Sequence, residues 1–281
     1  MDDVREQKYL RISKSTFYYI LETICKCETT SGSQMFGIGE GTVVKFIDRI
    51  TTAIMGLKDV YIKWPSKKGR NSISKENERN YGFKGAIGII DGTTFTLNYK
   101  PMFDSESYYS RKSSYCISGQ LITDSSRVFR YACIGYPGSV HDSRQFQNMQ
   151  VYTKPKEYFD EGQYIIGDNA YKLTPYMIRP VKAPWNKIKR NTTFNYLLSK
   201  FRIIIEHSIG MLKSRFSRLK HGFNCRLQKK KDFERLIQCI MCCIIIHNIC
   251  IIKKDNFNDY FLHNIFDEPV ENYEIDNVDS A

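Results

Sequence analysis

Two short apolar runs that each end on an aspartate constrain this chain more than any other feature. Gly85-Ala-Ile-Gly-Ile-Ile-Asp91 and Tyr164-Ile-Ile-Gly-Asp168 read as strands that deliver a carboxylate at their ends. A third acid, Glu206, lies inside a helical pattern from Leu197 to Leu219, beside Ile203, Ile204 and Ile205, which draw that helix into the protein. Two strand-end aspartates and one helix glutamate can converge on a pair of divalent cations. Packed carboxylates repel one another unless a cation binds them, and hard cations prefer carboxylate oxygen. Two such ions about 3.5–4 Å apart stabilise both the attacking and the leaving oxygen of a phosphodiester cleavage.

Charge points the same way. The 281 residues carry a formal net charge of +12, and the balance is uneven. Residues 255–281 hold eight Asp or Glu and no Lys or Arg, which leaves 42 basic and 22 acidic residues in the rest, a body near +20. A body that basic suggests a phosphate polymer as partner, with double-stranded DNA the expectation once the resemblance below is added, although a soluble basic protein of another kind has the same balance. The nine cysteines come without a secretory signal at Met1-Asp-Asp-Val-Arg-Glu-Gln, so reduced thiols in the cytosol or nucleus are expected. The apolar run Ile240 to Ile252 reads as a buried core helix too short to span a bilayer, and no membrane association is expected.

The pattern divides the chain into a helical region 1–65, a linker 66–83, a main domain 84–254 and an acidic tail 255–281. Ser13 can cap a helix carrying Phe17, Ile20, Leu21 and Ile24. Thr42 to Leu57 gives a second helix with Val43, Phe46, Ile47, Ile50 and Ile54. The pair is either a helix-turn-helix reader or a cap on the main domain. The stretch Lys63-Trp-Pro-Ser-Lys-Lys-Gly-Arg70 is polar, basic and broken by Pro and Gly. Strands are expected at 86–91, 94–99, 115–123, 127–135 and 163–167, a short helix at 140–149, irregular basic chain at 174–193, and long helices at 197–219 and 232–252. This order predicts an α/β domain with a mixed sheet flanked by helices. The tail reads as solvated chain, or as a weak competitor folded over a basic cleft.

Further residues join the candidate site. Asp142, in the first turn of the short helix, either answers the helix dipole or completes a metal site, and His141 beside it reads as a turn residue. Arg202, Glu206 and Lys213 share one helix face, so the two cations can hold phosphates while Glu206 binds metal. The alternative is an ordinary ion pair. Arg111, Lys112, Arg202 and Lys213 are the leading DNA contacts. Lys229-Lys230-Lys231 reads as a phosphate contact, an import patch or a solvated helix start. Cys239, Cys243, His247 and Cys250 fall on one helix face, but a single straight helix cannot wrap four ligands around zinc, so they read as core.

Ser199-x-x-Arg202-x-x-x-Glu206 followed by Lys213 resembles the Tyr-x-x-Arg-x-x-x-Glu and Lys signature of bacterial DDE transposases, and Asp168-Asn-Ala-Tyr171 resembles their second-aspartate motif. Ser199 and Ala170 depart from the Tyr and Gly of those motifs. The series Ile90-Asp-Gly-Thr93, Tyr109-x-Arg-Lys112, Gly135-Tyr-Pro-Gly-Ser-x-x-Asp142, Gly167-Asp-x-Ala-Tyr171, Phe194-Asn195 and Leu212-Lys-x-Arg-Phe216, closed by His247-Asn248, is similar in content and order to the PIF/Harbinger superfamily and its Harbinger transposase-derived nucleases. The resemblance implies an RNase H-like fold in which the first acid closes the first strand, the second closes the fourth and the glutamate rides on a late helix. It further implies Asp91, Asp168 and Glu206 as catalytic residues, with Asp142 joining them as ligands of Mg²⁺ or Mn²⁺. A separate Myb-like DNA-binding protein, a homo-oligomer and a nuclear location, with the cytoplasm as a second site, belong to the same expectation.

Three functions compete. A metal-dependent DNA endonuclease, transposase or transposase-derived, uses every acid. A domesticated, non-catalytic DNA-binding or scaffold protein retains the fold alone. A small-phosphoester hydrolase leaves the basic charge without a purpose.

Overall fold

The computed structural model describes residues 40–253. In chain order its main elements are helix α1 (Glu40–Met55), helix α2 (Lys67–Tyr81), strands β1 (Ala86–Thr96), β2 (Cys116–Thr123) and β3 (Phe129–Pro137), helix α3 (Asp142–Gln147), strands β4 (Tyr164–Ile166) and β5 (Met177–Ile178), and helices α4 (Lys189–Arg215) and α5 (Lys230–Ile252). The first helix of the expected helix-turn-helix and the acidic tail lie outside the described residues. Of that pair, α1 lays Ile47, Ile50 and Ile54 on the core.

Segment 66–83, expected as a linker, is mostly helix. Ser66 accepts from Gly69 N at 3.3 Å to cap α2, and Gly82, at φ 77°, ends it. The helix has almost no apolar face, which is why its composition reads as linker. Polar anchors hold it instead. Arg70 donates to Gln163 Oε1, Asp160 Oδ2 and the Pro65 carbonyl, and the buried Asn77 donates to the Ala86 carbonyl. Just upstream, the Trp64 indole donates to the Tyr158 carbonyl at 2.7 Å and meets Tyr131, Tyr158 and Phe159 edge-on.

The five strands form one mixed sheet in the order β3-β2-β1-β4-β5. β1, β2 and β3 pair antiparallel, whereas β1–β4 and β4–β5 are parallel. The expected strands 86–91 and 94–99 are one continuous β1. Asp91 is therefore within a strand rather than at its end, because Gly92, Thr93 and Thr94 go on pairing with Gln120, Gly119 and Ser118. The two-residue β5 falls in the stretch read as irregular, too short to leave a periodic pattern.

Both faces of the sheet are covered. Neighbouring side chains on a strand point to opposite faces. Leu121 joins a cluster with Phe95, Leu212, Phe223, Ile240 and Ile244, while Ile122 joins Ile90, Phe146, Met149, Ile165 and Tyr171 on the other side. Burial on both faces explains why these strands read as apolar runs. A third cluster, with Phe83, Ile89, Ile166, Leu198, Phe201 and Ile205, fastens α4 over the β1–β4 pair.

α5 is long and apolar enough to cross a membrane by length and composition alone, yet most of that stretch is buried inside the protein. Cys239, Cys242, Cys243 and Cys250 are buried there, as core side chains. Burial lowers the His247 pKa to about 3, so this ring is neutral. Asp232 accepts from the backbone of Gln228 and Lys229, which makes the lysine run a helix start. Beside His247, Asn248 works as a clamp. Its Oδ1 accepts from Phe129 N, and its Nδ2 donates to the carbonyls of Phe129 and Tyr61. Asn248→Ala strips partners from buried backbone groups and should lower unfolding free energy by about 3 kcal/mol. Urea denaturation checks this, and a change below about 1 kcal/mol would contradict the clamp.

Candidate active site

Pairing register assembles the site. In the parallel β1–β4 ladder Ile89 lies opposite Ile166. Asp91 is two residues beyond Ile89 and Asp168 two beyond Ile166, so the same offset sets both aspartates at one level on adjacent chains. Asp168 leaves the strand in a tight turn, its Oδ1 accepting from Ala170 N at 2.8 Å. α4 crosses this end of the sheet and presents Glu206, which is exposed.

Asp142 arrives from the other side. Gly92 opens the place for it, since a Cβ there would stand 2.1 Å from Asp142 Oδ1. The same oxygen accepts from Gln120 Nε2 at 2.7 Å. Gln120 is fully buried on β2 and accepts through Oε1 from the Tyr171 hydroxyl in a short hydrogen bond. Gln145, one turn along α3, donates to Ser118 Oγ and to the Val140 carbonyl. The carboxylate of α3 is thereby tied to the centre of the sheet and to the chain leaving Asp168.

Arg202 lies between the remaining acids, at 4.0 Å from Asp91 Oδ1 and 3.5 Å from Glu206 Oε1. Its Nε is buried without a hydrogen-bond partner. Burial is the main reason that the Asp91 pKa is raised from 3.8 to about 6. Arg202 and the Gly92 N–H pull it down, and Asp168 and Glu206 push it up. Burial also raises Asp142, against the pull of its bond from Gln120 and with a push from Asp168. Tyr171 is held well above its usual range by burial and by the charges of Asp142, Asp91 and Asp168. The four acids therefore share one electrostatic field.

Of the cations expected to hold DNA, Arg202 is inside this field. Lys213 donates to the Thr94 carbonyl at 2.9 Å and lies over the Phe95 ring, and burial, reinforced by Lys112, lowers its pKa. Arg111 and Lys112 are exposed. Arg111 Nη2 lies 2.7 Å from His141 Nε2, and because a guanidinium only donates, the ring nitrogen accepts. His141 thus links the Arg111 loop to the start of α3.

Gln120 and Gln145 were absent from the sequence-based site. The available signal was a glutamine inside the apolar run of 116–123, a polar group that has to find partners when buried. Among the described residues, no three His, Cys, Asp or Glu side chains stand close enough to enclose a metal ion as they are placed. The donor chemistry nevertheless fits a hard divalent cation, with four carboxylates in one field and a guanidinium providing the positive charge between two of them.

A family model described as DDE superfamily endonuclease matches residues 90–248. The chain is 24% identical over 240 residues to "Protein ALP1-like" of Arabidopsis thaliana, covering 80% of this chain and 57% of that protein. It is 21% identical over 229 residues to "Putative nuclease HARBI1" of Xenopus laevis, covering 79% of this chain and 64% of that protein. The chain thus spans about six-tenths of the length of these relatives. No solved structure gives a significant match.

The Tyr171–Gln120–Asp142 chain can be measured without any ligand. Gln120→Leu should destabilise by about 2 kcal/mol, and Tyr171→Phe should cost less in that background than in the wild type, a coupling of about 1 kcal/mol. Additive losses in a double-mutant cycle would mean that the two side chains act separately.

Proposed function

This chain belongs to the DDE superfamily endonucleases, and from that premise we propose that it is a transposase-derived nuclease that cuts phosphodiester bonds of double-stranded DNA. The observation that carries the reading is the equal offset of Asp91 and Asp168 along paired parallel strands, with Glu206 and Asp142 brought to the same field. The sheet order, three antiparallel strands followed by two parallel ones, supports an RNase H-like fold.

In this reading Asp91, Asp142, Asp168 and Glu206 hold Mg²⁺ or Mn²⁺, and Asp91, Asp168 and Glu206 form the catalytic set. Bound there, divalent cations supply Lewis-acid charge for the attacking and leaving oxygens. The protein's own part is orientation. Gln120 fixes one oxygen of Asp142, and the turn after Asp168 fixes one of its oxygens. Arg202 neutralises Asp91 and Glu206 before DNA arrives and can then turn its guanidinium to a phosphate. Arg111 and Lys112 offer exposed charge for the flanking backbone, and Lys213 supports β1 through Thr94 while adding to the positive field. The partners that go with this reading are DNA, a Myb-like DNA-binding protein and a second copy of the chain, in the nucleus and also in the cytoplasm.

Supercoiled-plasmid nicking tests the proposal. Wild type should nick with Mg²⁺ or Mn²⁺ and not in EDTA, and Asp168→Asn or Glu206→Gln should lose at least about a hundredfold in rate while still binding DNA. Tight binding without nicking by the wild type under any cation would replace the nuclease with a non-catalytic DNA-binding protein.

Acidity gives an independent check. A carboxylate whose pKa is raised from 3.8 to about 6 favours the folded, cation-free protein at low pH, and that advantage fades as pH rises through about 6. Cation binding needs the ionised form. Mg²⁺ should therefore raise Tm more at about pH 7.5 than at about pH 5. Equal shifts at both would remove Asp91 from the ligand set.

A further inference from the structure

Between Asp168 and Glu206 the chain runs through eight Lys or Arg residues without a single acid. The densest part of this stretch is also the most open. Every residue from 182 to 190 is exposed, including Lys182, Lys187, Lys189 and Arg190. Trp185 stands in their midst with 65% of its surface open to solvent. Its backbone, by contrast, is held firmly. Asn191 Nδ2 donates to the Trp185 carbonyl, and Thr192 Oγ1 donates to the Asn186 carbonyl, both at 2.8 Å. Asn195 brackets Val181 through its N–H and its carbonyl. An apolar ring is thus displayed on a clamped turn, with exposed cations on either side of it in the sequence.

We propose that this strip is a second nucleic-acid site, in which Trp185 stacks on unpaired bases of a DNA strand. The inference rests on the DNA reading above and specifies where else the substrate is held. Lysines and arginines alone would suffice for a duplex backbone. An exposed indole on a held backbone adds the π-face that a splayed base can use, and base–aromatic stacking among backbone-tracking cations is how single strands are commonly bound. A second copy of the chain fits poorly, because a two-fold contact of strip on strip would oppose like charges. Lys189 begins α4 and Glu206 lies seventeen residues on, which sets the strip about 25 Å from the catalytic glutamate along the helix. That separation equals roughly seven steps of duplex DNA at about 3.4 Å each, and fewer of an extended single strand. The strip would hold strand flanking the cut rather than the scissile phosphate.

Binding in EDTA by the Glu206→Gln protein tests this without cleavage, using a labelled oligo-dT of about 15 nucleotides and a mixed-sequence duplex of the same length. Trp185→Ala should weaken oligo-dT binding about tenfold or more, Trp185→Phe should recover most of it, and duplex binding should change by no more than about twofold. Circular dichroism and sedimentation of each variant accompany the titrations. An unchanged oligo-dT affinity in Trp185→Ala, an equal loss on the duplex, no oligo-dT binding at all, or a change in oligomeric state with oligo-dT binding intact would each overturn the proposal. If the wild type nicks plasmid and Trp185 is indifferent, this inference alone fails. Neither nicking nor binding of any DNA would remove the DNA reading itself.

Discussion

Parallel pairing of β1 with β4 brings two carboxylates to the same level on neighbouring chains, and a solvent-poor environment makes that arrangement unfavourable. The two chains run side by side up to Ile89 and Ile166, and the charge of Asp168 acts on Asp91 just beyond. The rest of the site consists of responses to this constraint. Arg202 brings a guanidinium to Asp91 and Glu206. The Asp168 turn folds back to accept a backbone N–H. Burial first, and the charges of Asp168 and Glu206 after it, raise the Asp91 pKa to about 6. Sheet and helix packing, through Ile89, Ile166, Phe201 and Ile205, supplies the apolar burial that offsets this unfavourable arrangement.

A buried polar chain does a different job on the far side of β1. Asp142 belongs to a short helix, which alone could not aim a carboxylate reproducibly. Gln120 takes its place on the most buried strand, and its amide meets an acid at one end and a phenol at the other. Every member being partnered, the network specifies geometry rather than leaving a desolvated group behind. Gly92 is the permissive half of the same device, because any side chain on it would occupy the space of the Asp142 carboxylate.

Much of this was legible in the sequence where a residue's role depends on its immediate neighbours. Apolar runs ending on Asp91 and Asp168 located the paired strands, and Ile203 to Ile205 located the buried face beside Glu206. Legibility failed where long-range partners decide. α2 lacks an apolar stripe, so only Arg70 and Asn77 meeting residues far along the chain make it a stable helix. β1 was read in two pieces because Gly92 interrupts the apolar pattern, although β2 supplies pairing across it. α4 begins earlier than its apolar periodicity. Its first turns are polar, and Thr192 and Thr193 return hydrogen bonds to the preceding turn. Gln120 was passed over since a lone glutamine in a strand carries no spacing to recognise.

Charge is distributed along α4 in a way that local stability does not explain. Helices favour acids in the first turn and cations in the last, by about 0.3–1 kcal/mol each. α4 opens on Lys189 and Arg190 with no acid in its first turn. Its one acid, Glu206, stands far along the helix beside a cation needed to neutralise it. The rule is broken only at the start of α4, since its last turn carries Lys213 and Arg215, and the first-turn cations belong to the strip proposed above. The helix thus joins two charge environments on one continuous element, one acidic and half-buried at the sheet, the other basic and open at Trp185. Because the same backbone fixes both, any polymer that engages the two must do so at a set separation, and the register of β1 on β4 determines where that separation begins.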